Sequence, residues 1–367
     1  MSIIISIIAA FIVTFILLPI IIKVSRSVDL LDAPDRRKIH RVSTPALGGI
    51  GIFVGFMVAV FMAVPLAELA TLKFFLFGLI IIFFMGIRDD ISSLMAKHKL
   101  LAQVFAAFLV VYFSDIRLTG FYGMFGIGEM PEWFSIPFTI FVLVGLTNSF
   151  NLIDGIDGLA GTIGILILSF FGWVFLTGGY YAYSVLCLSV VGSLFAFLLY
   201  NWNPSRVFMG DTGSMILGFI ISSLAILFIN VAPGMTLGYF EITSSVSVCI
   251  AALILPIFDT VRVFTIRFSN GKNPLDPDRN HLHHGLLKLG LNHAQATIFL
   301  GLFNLLILSM ALLLDPYLGN GSLMLIITAM CVGVTMTLGY KLKRKGHLGK
   351  ITPVATKSSD LYISKSA

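Results

Sequence analysis

Eleven apolar runs, most of them long enough to cross a membrane, occupy most of this 367-residue chain. A membrane-spanning helix needs about 20 mostly apolar residues. Soluble domains carry about 25% charged residues, whereas this chain carries 11%. The pattern therefore predicts an all-α, polytopic integral membrane protein with about eleven transmembrane helices. The predicted spans are residues 2–24, 46–67, 72–88, 100–114, 133–150, 158–178, 182–200, 213–231, 240–266, 294–314 and 321–340.

The positive charges fall almost entirely on one side of these predicted spans. If the N-terminus lies outside, all but Lys73 and Arg117 of the 24 Lys and Arg residues are on the inner side, as the positive-inside rule requires. Topology thus accounts for the basic net charge, and no nucleic-acid partner is expected. We predict one membrane domain over residues 1–340, followed by a cytoplasmic, basic and then Ser/Thr-rich tail over residues 341–367.

A polar stretch over residues 148–162, NSFNLIDGIDGLAGT, interrupts the apolar pattern. Asn148, Asn151, Asp154 and Asp157 recur at every third residue. Three residues advance about 300° around an α-helix, so this polar row drifts by about 60° per step. One straight helix cannot aim all four side chains at one point. We therefore expect a helix to end near Asp154 and another to start close to Gly158.

Further polar motifs fall on the same predicted inner side. They are the pair Asp89–Asp90, the segment VFMGDTGS around Asp211, and the histidine-rich segment 276–284. Each has an ordinary alternative: solvated loop acids, an N-cap at Asp211, and a solvated basic loop. Their coincidence on one side favours a single composite site. Carboxylates that suit Mg²⁺, cationic donors and glycine-rich turns are typical of phosphoryl transfer, and burial in the membrane indicates a lipid substrate.

These motifs resemble those of the polyprenyl-phosphate N-acetylhexosamine-1-phosphate transferase superfamily. The resemblance covers residues 1–340 and rests on P-x-x-G-G at residues 45–49, Asp89–Asp90, NLIDGIDGLAG, VFMGDTGS, PIFDT and HLHH, in family order. The segment DPDRNHLHH is similar to that of the WecA/TagO-like branch. The related MraY branch typically has an unbroken histidine triplet there, which Leu282 interrupts in this chain.

The resemblance implies a Mg²⁺-dependent enzyme of a bacterial plasma membrane, with its active site facing the cytoplasm and Mn²⁺ as an alternative metal. It would transfer N-acetylglucosamine-1-phosphate from UDP-N-acetylglucosamine to undecaprenyl phosphate and release UMP. The substrates, the lipid bilayer and, as one option, a second copy of the chain are the expected partners. The product would enter a cell-envelope glycan pathway that the sequence does not identify.

The resemblance also implies roles for particular residues. Asp89, Asp90 and Asp211 would be catalytic, and Asp211, Asp154 and Asp89 would contact the metal. Lys99 would bind the lipid phosphate, and Phe208 would stack on uracil. The implied substrate-binding residues are Arg41, Lys99, Asn151, Asp154, Asp157, Asn201, Phe208, Arg279, His281, His283 and His284.

Two alternative functions are left open at this point. One is the phospho-N-acetylmuramoyl-pentapeptide transferase reaction of peptidoglycan synthesis. The other is an ion-coupled membrane transporter that uses its acids as a relay, which predicts acids scattered through the middle of the spans. The clustering of acids at inner span ends counts against the transporter. A general base is also left open, because a lipid phosphate is already anionic enough to attack directly.

Overall fold

The computed structural model describes residues 2–28, 44–126, 128–237, 240–271, 273 and 280–344. Within these residues the chain forms thirteen α-helices and one short β-hairpin. The helices are α1 (Ser2–Ser27), α2 (Gly48–Ala63), α3 (Leu66–Ile91), α4 (Ala96–Phe108), α5 (Glu132–Ile153), α6 (Leu159–Thr177), α7 (Tyr181–Asn201), α8 (Gly210–Val231), α9 (Ser245–Ala252), α10 (Ile254–Ser269), α11 (Leu282–Lys288), α12 (His293–Leu314) and α13 (Asn320–Arg344). The hairpin pairs β1 (Thr236–Leu237) with β2 (Phe240–Glu241).

Every predicted span overlaps at least one of these helices, so the all-α membrane architecture is confirmed. In the described part of the chain, nine helical segments are long and apolar enough to cross a membrane, and α9 with α10 makes a tenth if the bent pair is one span. The remaining predicted span, α2, is shorter, with 16 residues. The first four residues of the predicted tail belong to α13, and residues 345–367 lie outside the described chain.

Helix α8 lies at the centre of the bundle. In an apolar stretch of 18 residues in α8, 78% of the residues are buried, whereas the corresponding fraction in α1 and in α13 is 22%. It packs against α2, α3, α5 and α6. Helix α8 begins at Gly210, so Asp211 lies in its first turn. The ends of the neighbouring helices that pack against this turn therefore surround Asp211.

The glycine pair at the start of α2 brings this helix against the start of α8. A Cβ atom on Gly49 would lie 2.2 Å from the backbone nitrogen of Gly213. The backbone N–H groups of Gly48 and Gly49 donate to the carbonyl oxygens of Phe208 and Met209, at 3.0 and 2.9 Å. The P-x-x-G-G motif thus fixes the segment that leads into Asp211.

We expect Gly49→Ala to destabilise the protein by about 1–3 kcal/mol, because the added methyl group has no space between the two backbones. The matched control is Gly145→Ala in α5, where a Cβ would meet no atom within 4 Å. Thermal unfolding in detergent measures the difference. Equal melting temperatures for the two variants would contradict the steric explanation.

The ninth predicted span is broken into α9 and α10, which meet at an angle of 79°. The break leaves backbone groups without their helical partners. The buried amide of Asn304 on α12 accepts from the backbone N–H of Leu255 at 3.4 Å and donates to the carbonyl of Ala252 at 3.0 Å. Broken helices within a membrane need such internal partners, and the bend directs α10 towards α11.

Acidic and polar residues join the helices at the other end of the bundle. Arg117 contacts Asp115 at 2.8 Å and Glu132 at 3.0 Å. The carboxylate of Asp315 accepts from the backbone N–H groups of Thr243 and Ser244, at 2.8 and 2.7 Å. These acids lie apart from the site described next.

Candidate active site

The polar stretch over residues 148–162 contains the predicted helix break. Helix α5 ends at Ile153 and α6 begins at Leu159, with Gly158 in the left-handed region at φ +78°. The backbone N–H of Gly158 donates to the side-chain oxygen of Asn201 at 2.9 Å, and the Asn201 amide donates to the carbonyl of Val207 at 2.8 Å. Asn201 therefore ties this turn to the segment before Asp211, and its predicted contact with the nucleotide stays a prediction.

Three of the four polar residues of this stretch contact different partners, as expected from the drift of their spacing. Asn148 forms a reciprocal amide pair with Gln103, at 2.8 and 3.3 Å. The Asn151 amide donates to Asp211 at 3.4 Å. One oxygen of the buried Asp157 lies 3.2 Å from Nδ1 of His293. Asn148 therefore faces the α4–α5 contact and takes no part in the site.

Lys99 lies between two of the predicted catalytic acids. Its ammonium group forms a short ion pair with Asp89 and lies 2.8 Å from Oδ2 of Asp211. The Asp211 side chain is 34% exposed and that of Lys99 27%, whereas that of Asp89 is 4% exposed. Asp89 also accepts from the backbone N–H of Leu94 at 2.7 Å. Asp211 is thus the acid of this cluster that a ligand can reach. The buried Asp89 holds the ammonium group of Lys99 in place through their ion pair.

Asp90, the neighbour of Asp89 in sequence, caps the N-terminus of α8. Its two oxygens accept from the backbone N–H groups of Asp211 and Thr212, at 2.7 and 3.0 Å, and from the Thr212 hydroxyl at 2.5 Å. The approach depends on Gly210, at φ +73°, where a Cβ would lie 1.9 Å from the carbonyl oxygen of Ala46. Capping of this helix thus falls to Asp90 on α3, and Asp211 occupies the first turn.

Asp154 lies at the turn between α5 and α6, facing a concentration of negative charge. Burial of its carboxyl group, together with the negative charges of Asp211, Asp90 and Asp157, raises its pKa to about 7. A carboxylate in this position favours a cation. The turn therefore adds a fourth acid to the cluster formed by Asp89, Asp90 and Asp211.

The histidine motif packs on the same turn. His281 is buried, with Nδ1 2.9 Å from Oδ2 of Asp259 on α10. The other oxygen of Asp259 accepts from the backbone N–H of Leu282 at 2.8 Å. A Cβ on Gly155 would lie 2.4 Å from Nε2 of His283. Asp259 thus orients the start of α11 so that His283 contacts the turn beside Asp154.

His283 is buried among other imidazole rings. Its ring centroid lies 4.3 Å from that of His284 and 5.6 Å from that of His281. Burial lowers the pKa of His283 well below its usual value, and the neighbouring histidines lower it further. The ring is therefore neutral at pH 7, with one N–H donor and one acceptor nitrogen.

Three further predicted binding residues complete the comparison with the sequence. The backbone N–H of Phe208 donates to the carbonyl of Pro45 at 2.8 Å, which places this aromatic residue between the P-x-x-G-G turn and Asp211. Its stacking on uracil stays a prediction. Arg41 and Arg279 lie outside the described residues.

The acids offer the oxygen ligands that Mg²⁺ prefers. Within the described residues, no three Asp, Glu, His or Cys side chains are placed closely enough to hold a metal ion as they stand. At Asp89 and Asp211, the ammonium group of Lys99 occupies the space between the carboxylates. The donor atoms are of the type that suits Mg²⁺, and binding of the metal at Asp211, Asp154 and Asp89 stays a prediction.

Three residues that contact predicted site residues were not themselves among the predicted ones: Thr212, Asp259 and His293. Asp259 belongs to the PIFDT motif and His293 to the cluster of four histidines over residues 281–293, so both had a sequence signal. Thr212 lies within the VFMGDTGS motif, but its contact with Asp90 depends on how α3 and α8 pack together.

Comparison with known proteins relates the chain to enzymes that act on prenyl phosphates. The model of glycosyl transferase family 4 matches residues 72–229, which include Asp89, Asp90, Asp154 and Asp211. Over 303 residues the chain is 35% identical to a probable undecaprenyl-phosphate N-acetylglucosaminyl 1-phosphate transferase of Bacillus subtilis (strain 168), covering 80% of this chain and 81% of that protein.

Two other relatives are similar over most of their length. The undecaprenyl-phosphate alpha-N-acetylglucosaminyl 1-phosphate transferase of Escherichia coli (strain K12) is 26% identical over 298 residues, covering 80% of this chain and 78% of the relative. The decaprenyl-phosphate N-acetylglucosaminephosphotransferase of Mycolicibacterium smegmatis is 28% identical over 343 residues, covering 87% and 84%.

Proposed function

Because the chain belongs to glycosyl transferase family 4, among the polyprenyl-phosphate N-acetylhexosamine-1-phosphate transferases, we propose that it transfers N-acetylglucosamine-1-phosphate from UDP-N-acetylglucosamine to undecaprenyl phosphate. UMP is the second product. The observation that carries the proposal is the gathering of Asp211, Asp154 and Lys99 at one end of a membrane bundle, in a chain that is similar over 80% of its length to N-acetylglucosaminyl 1-phosphate transferases.

The proposed site faces the cytoplasm from a bacterial plasma membrane. The supporting observation is the separation of charges between the two ends of the bundle. Lys99, Arg262 and Lys341 lie at the end that carries the site, whereas Arg117 contacts acids at the opposite end. Cytoplasmic segments of membrane proteins carry the excess of Lys and Arg, and nucleotide sugars are cytoplasmic substrates.

In the proposed reaction, an oxygen of the lipid phosphate attacks the β-phosphorus of the nucleotide sugar. The bond from this phosphorus to the oxygen that bridges it to the α-phosphorus breaks, and that oxygen leaves with UMP. The oxygen of a lipid phosphate is anionic near neutral pH, so the step needs no separate base. Positioning and neutralisation of charge are what the protein must supply.

The residues of the site divide these tasks among them. Asp211 and Asp154 would hold Mg²⁺, which supplies positive charge to the diphosphate when it is bound. Lys99, released from Asp211, would donate to the lipid phosphate, with Asp89 keeping its ammonium group in place. The neutral His283 has an N–H that suits a phosphate or sugar oxygen. Asp90 holds the backbone of Asp211 and is a positioning residue.

Purified full-length protein with undecaprenyl phosphate, Mg²⁺ and a panel of UDP-sugars tests the proposal through UMP release. Release with UDP-N-acetylglucosamine is the expected result, and omission of the lipid is the control. Release only with UDP-N-acetylmuramoyl-pentapeptide would move the chain to the peptidoglycan reaction. If no sugar nucleotide yields UMP, the enzyme assignment is wrong.

Metal binding is expected to depend on pH through Asp154. The pKa of this group is about 7 in the folded protein and about 3.9 when unfolded. Its contribution to stability is therefore present at acidic pH and is lost as the pH rises through about 7. The melting temperature without metal should fall as the pH rises from about 4 and should level off above about 7. Added Mg²⁺ should raise the melting temperature more at about pH 8 than at about pH 6.

The matched variant Asp154→Asn carries no titrating group at this position. Its response to Mg²⁺ should therefore be weaker and nearly the same at the two pH values. Melting curves with and without the metal supply the measurement. A wild-type response that is equal at both pH values would show that Asp154 does not contribute to cation binding.

A further inference from the structure

A groove on the outer surface of α1 lies at the same end of the bundle as the candidate site but outside it. Its volume is about 350 Å³, and it is lined by Pro19, Ile22, Lys23, Arg26, Tyr200 and Arg206. The first four occupy one face of α1, at the spacing i, i+3, i+4 and i+7. None of the six was assigned a role in the proposed reaction.

The floor of the groove follows from a proline in the middle of a helix. Pro19 has no N–H, so the carbonyl of Phe15, four residues earlier, lacks its helical donor. The hydroxyl of Tyr200 donates to this carbonyl at 3.4 Å, and the ring centroids of Tyr200 and Phe15 lie 5.7 Å apart. The tyrosine is thereby held against α1, with Pro19 and Ile22 completing an apolar surface.

Three cationic side chains surround this apolar floor. Lys23 and Arg26 come from the last turns of α1, and Arg206 comes from the loop after α7. The backbone N–H of Arg206 donates to the carbonyl of Tyr200 at 2.8 Å, which fixes the loop over the groove. Lys23, Arg26 and Arg206 are exposed, and none forms an ion pair with another residue in the described part of the chain.

We propose that this groove binds the headgroup of an anionic phospholipid, such as phosphatidylglycerol, from the bilayer leaflet on the side of the candidate site. Lys and Arg side chains near the membrane surface attract anionic lipids. Tyr200 lies in the last turn of α7, and an aromatic residue near the end of a membrane span is typical of the interface. The apolar floor suits the glycerol and upper acyl region, and the three cations suit the phosphate.

The groove also connects to the candidate site through a short segment. Arg206 precedes Val207, whose carbonyl accepts from Asn201, and Asp211 follows five residues after Arg206. A lipid bound at Arg206 would therefore stabilise the loop that carries Phe208 towards Asp211. The lipid site itself does not depend on the proposed transferase reaction.

Native mass spectrometry of the purified full-length protein, titrated with phosphatidylglycerol or phosphatidylcholine, tests the proposal. We expect one phosphatidylglycerol to be retained in preference to phosphatidylcholine. The triple variant Lys23→Gln, Arg26→Gln, Arg206→Gln should bind phosphatidylglycerol at least about tenfold more weakly than the wild type. Arg206→Gln alone should give a smaller loss, which keeps the test valid if the triple variant does not fold.

The matched control is Lys341→Gln, Lys343→Gln, Arg344→Gln, which removes the same charge from the end of α13. We expect this variant to retain phosphatidylglycerol as the wild type does. Equal losses in the two triple variants would attribute binding to general charge and overturn the proposal. Competition by inorganic phosphate, or preferential retention of undecaprenyl phosphate that the groove variant loses, would also overturn it.

Discussion

Asp211→Asn is expected to slow UMP release by about a hundredfold to a thousandfold, the range found when one preorganised electrostatic contact is removed from an active site. Asp211 is the most exposed of the acids around Lys99, and it also accepts from Asn151 at 3.4 Å. Asparagine has the same shape but cannot supply the negative charge for a metal ion. The variant should fold, because Lys99 keeps its ion pair with Asp89.

The control for this variant is Asp115→Asn, at a side chain that is 80% exposed at the opposite end of the bundle. It should release UMP at the wild-type rate. Turnover and the melting temperature should be measured on the same preparations. Nearly normal turnover in Asp211→Asn would remove Asp211 from the proposed mechanism, and loss of folding would show that its role is structural.

Asp90→Asn is expected to lower both stability and turnover. The carboxylate of Asp90 accepts three hydrogen bonds from Asp211 and Thr212. An amide can accept at only one of its two ends, so at least one donor of α8 loses its partner. This costs about 1–3 kcal/mol, and the displaced helix start should slow turnover by more than about tenfold. Melting curves and UMP release measure the two effects.

Substitutions of Thr212 distinguish a positioning role of Asp90 from direct chemistry. Thr212→Val removes one of the three hydrogen bonds and leaves the Asp90 carboxylate intact. If Asp90 positions Asp211, this variant should show part of both losses, and Thr212→Ser should restore them. If Asp90 acts as a base, Thr212→Val should keep nearly full turnover, while Asp90→Asn should lose turnover without loss of stability.

The helical architecture could be predicted because membrane insertion leaves a strong signal in sequence. Each apolar run must hydrogen-bond its own backbone, and each of the eleven runs overlaps at least one helix. The break between Ile153 and Leu159 was equally predictable, since the drift of a three-residue repeat rules out one straight polar face. The glycine at Gly158 supplied the left-handed residue that the turn needed.

The separate roles of adjacent acids could not be predicted in the same way. Asp89 and Asp90 are chemically identical neighbours, but successive residues point about 100° apart on a helix. One therefore meets Lys99 and the other meets the start of α8, a helix more than a hundred residues further along the chain. Asn148 likewise follows the polar repeat, yet its partner is Gln103. Such assignments depend on which helices pack together.

The position of Lys99 between Asp89 and Asp211 has a consequence for how the site would take up its metal. The ammonium group of Lys99 would compete with a divalent ion for the carboxylates of Asp89 and Asp211. The ion would therefore have to displace this group in order to bind. The carboxylates would then carry a countercharge both with and without the metal. The ammonium group of Lys99, if displaced by the metal, would become available to an incoming phosphate. Loading of the metal and readiness for the lipid substrate would thus be coupled through one side chain.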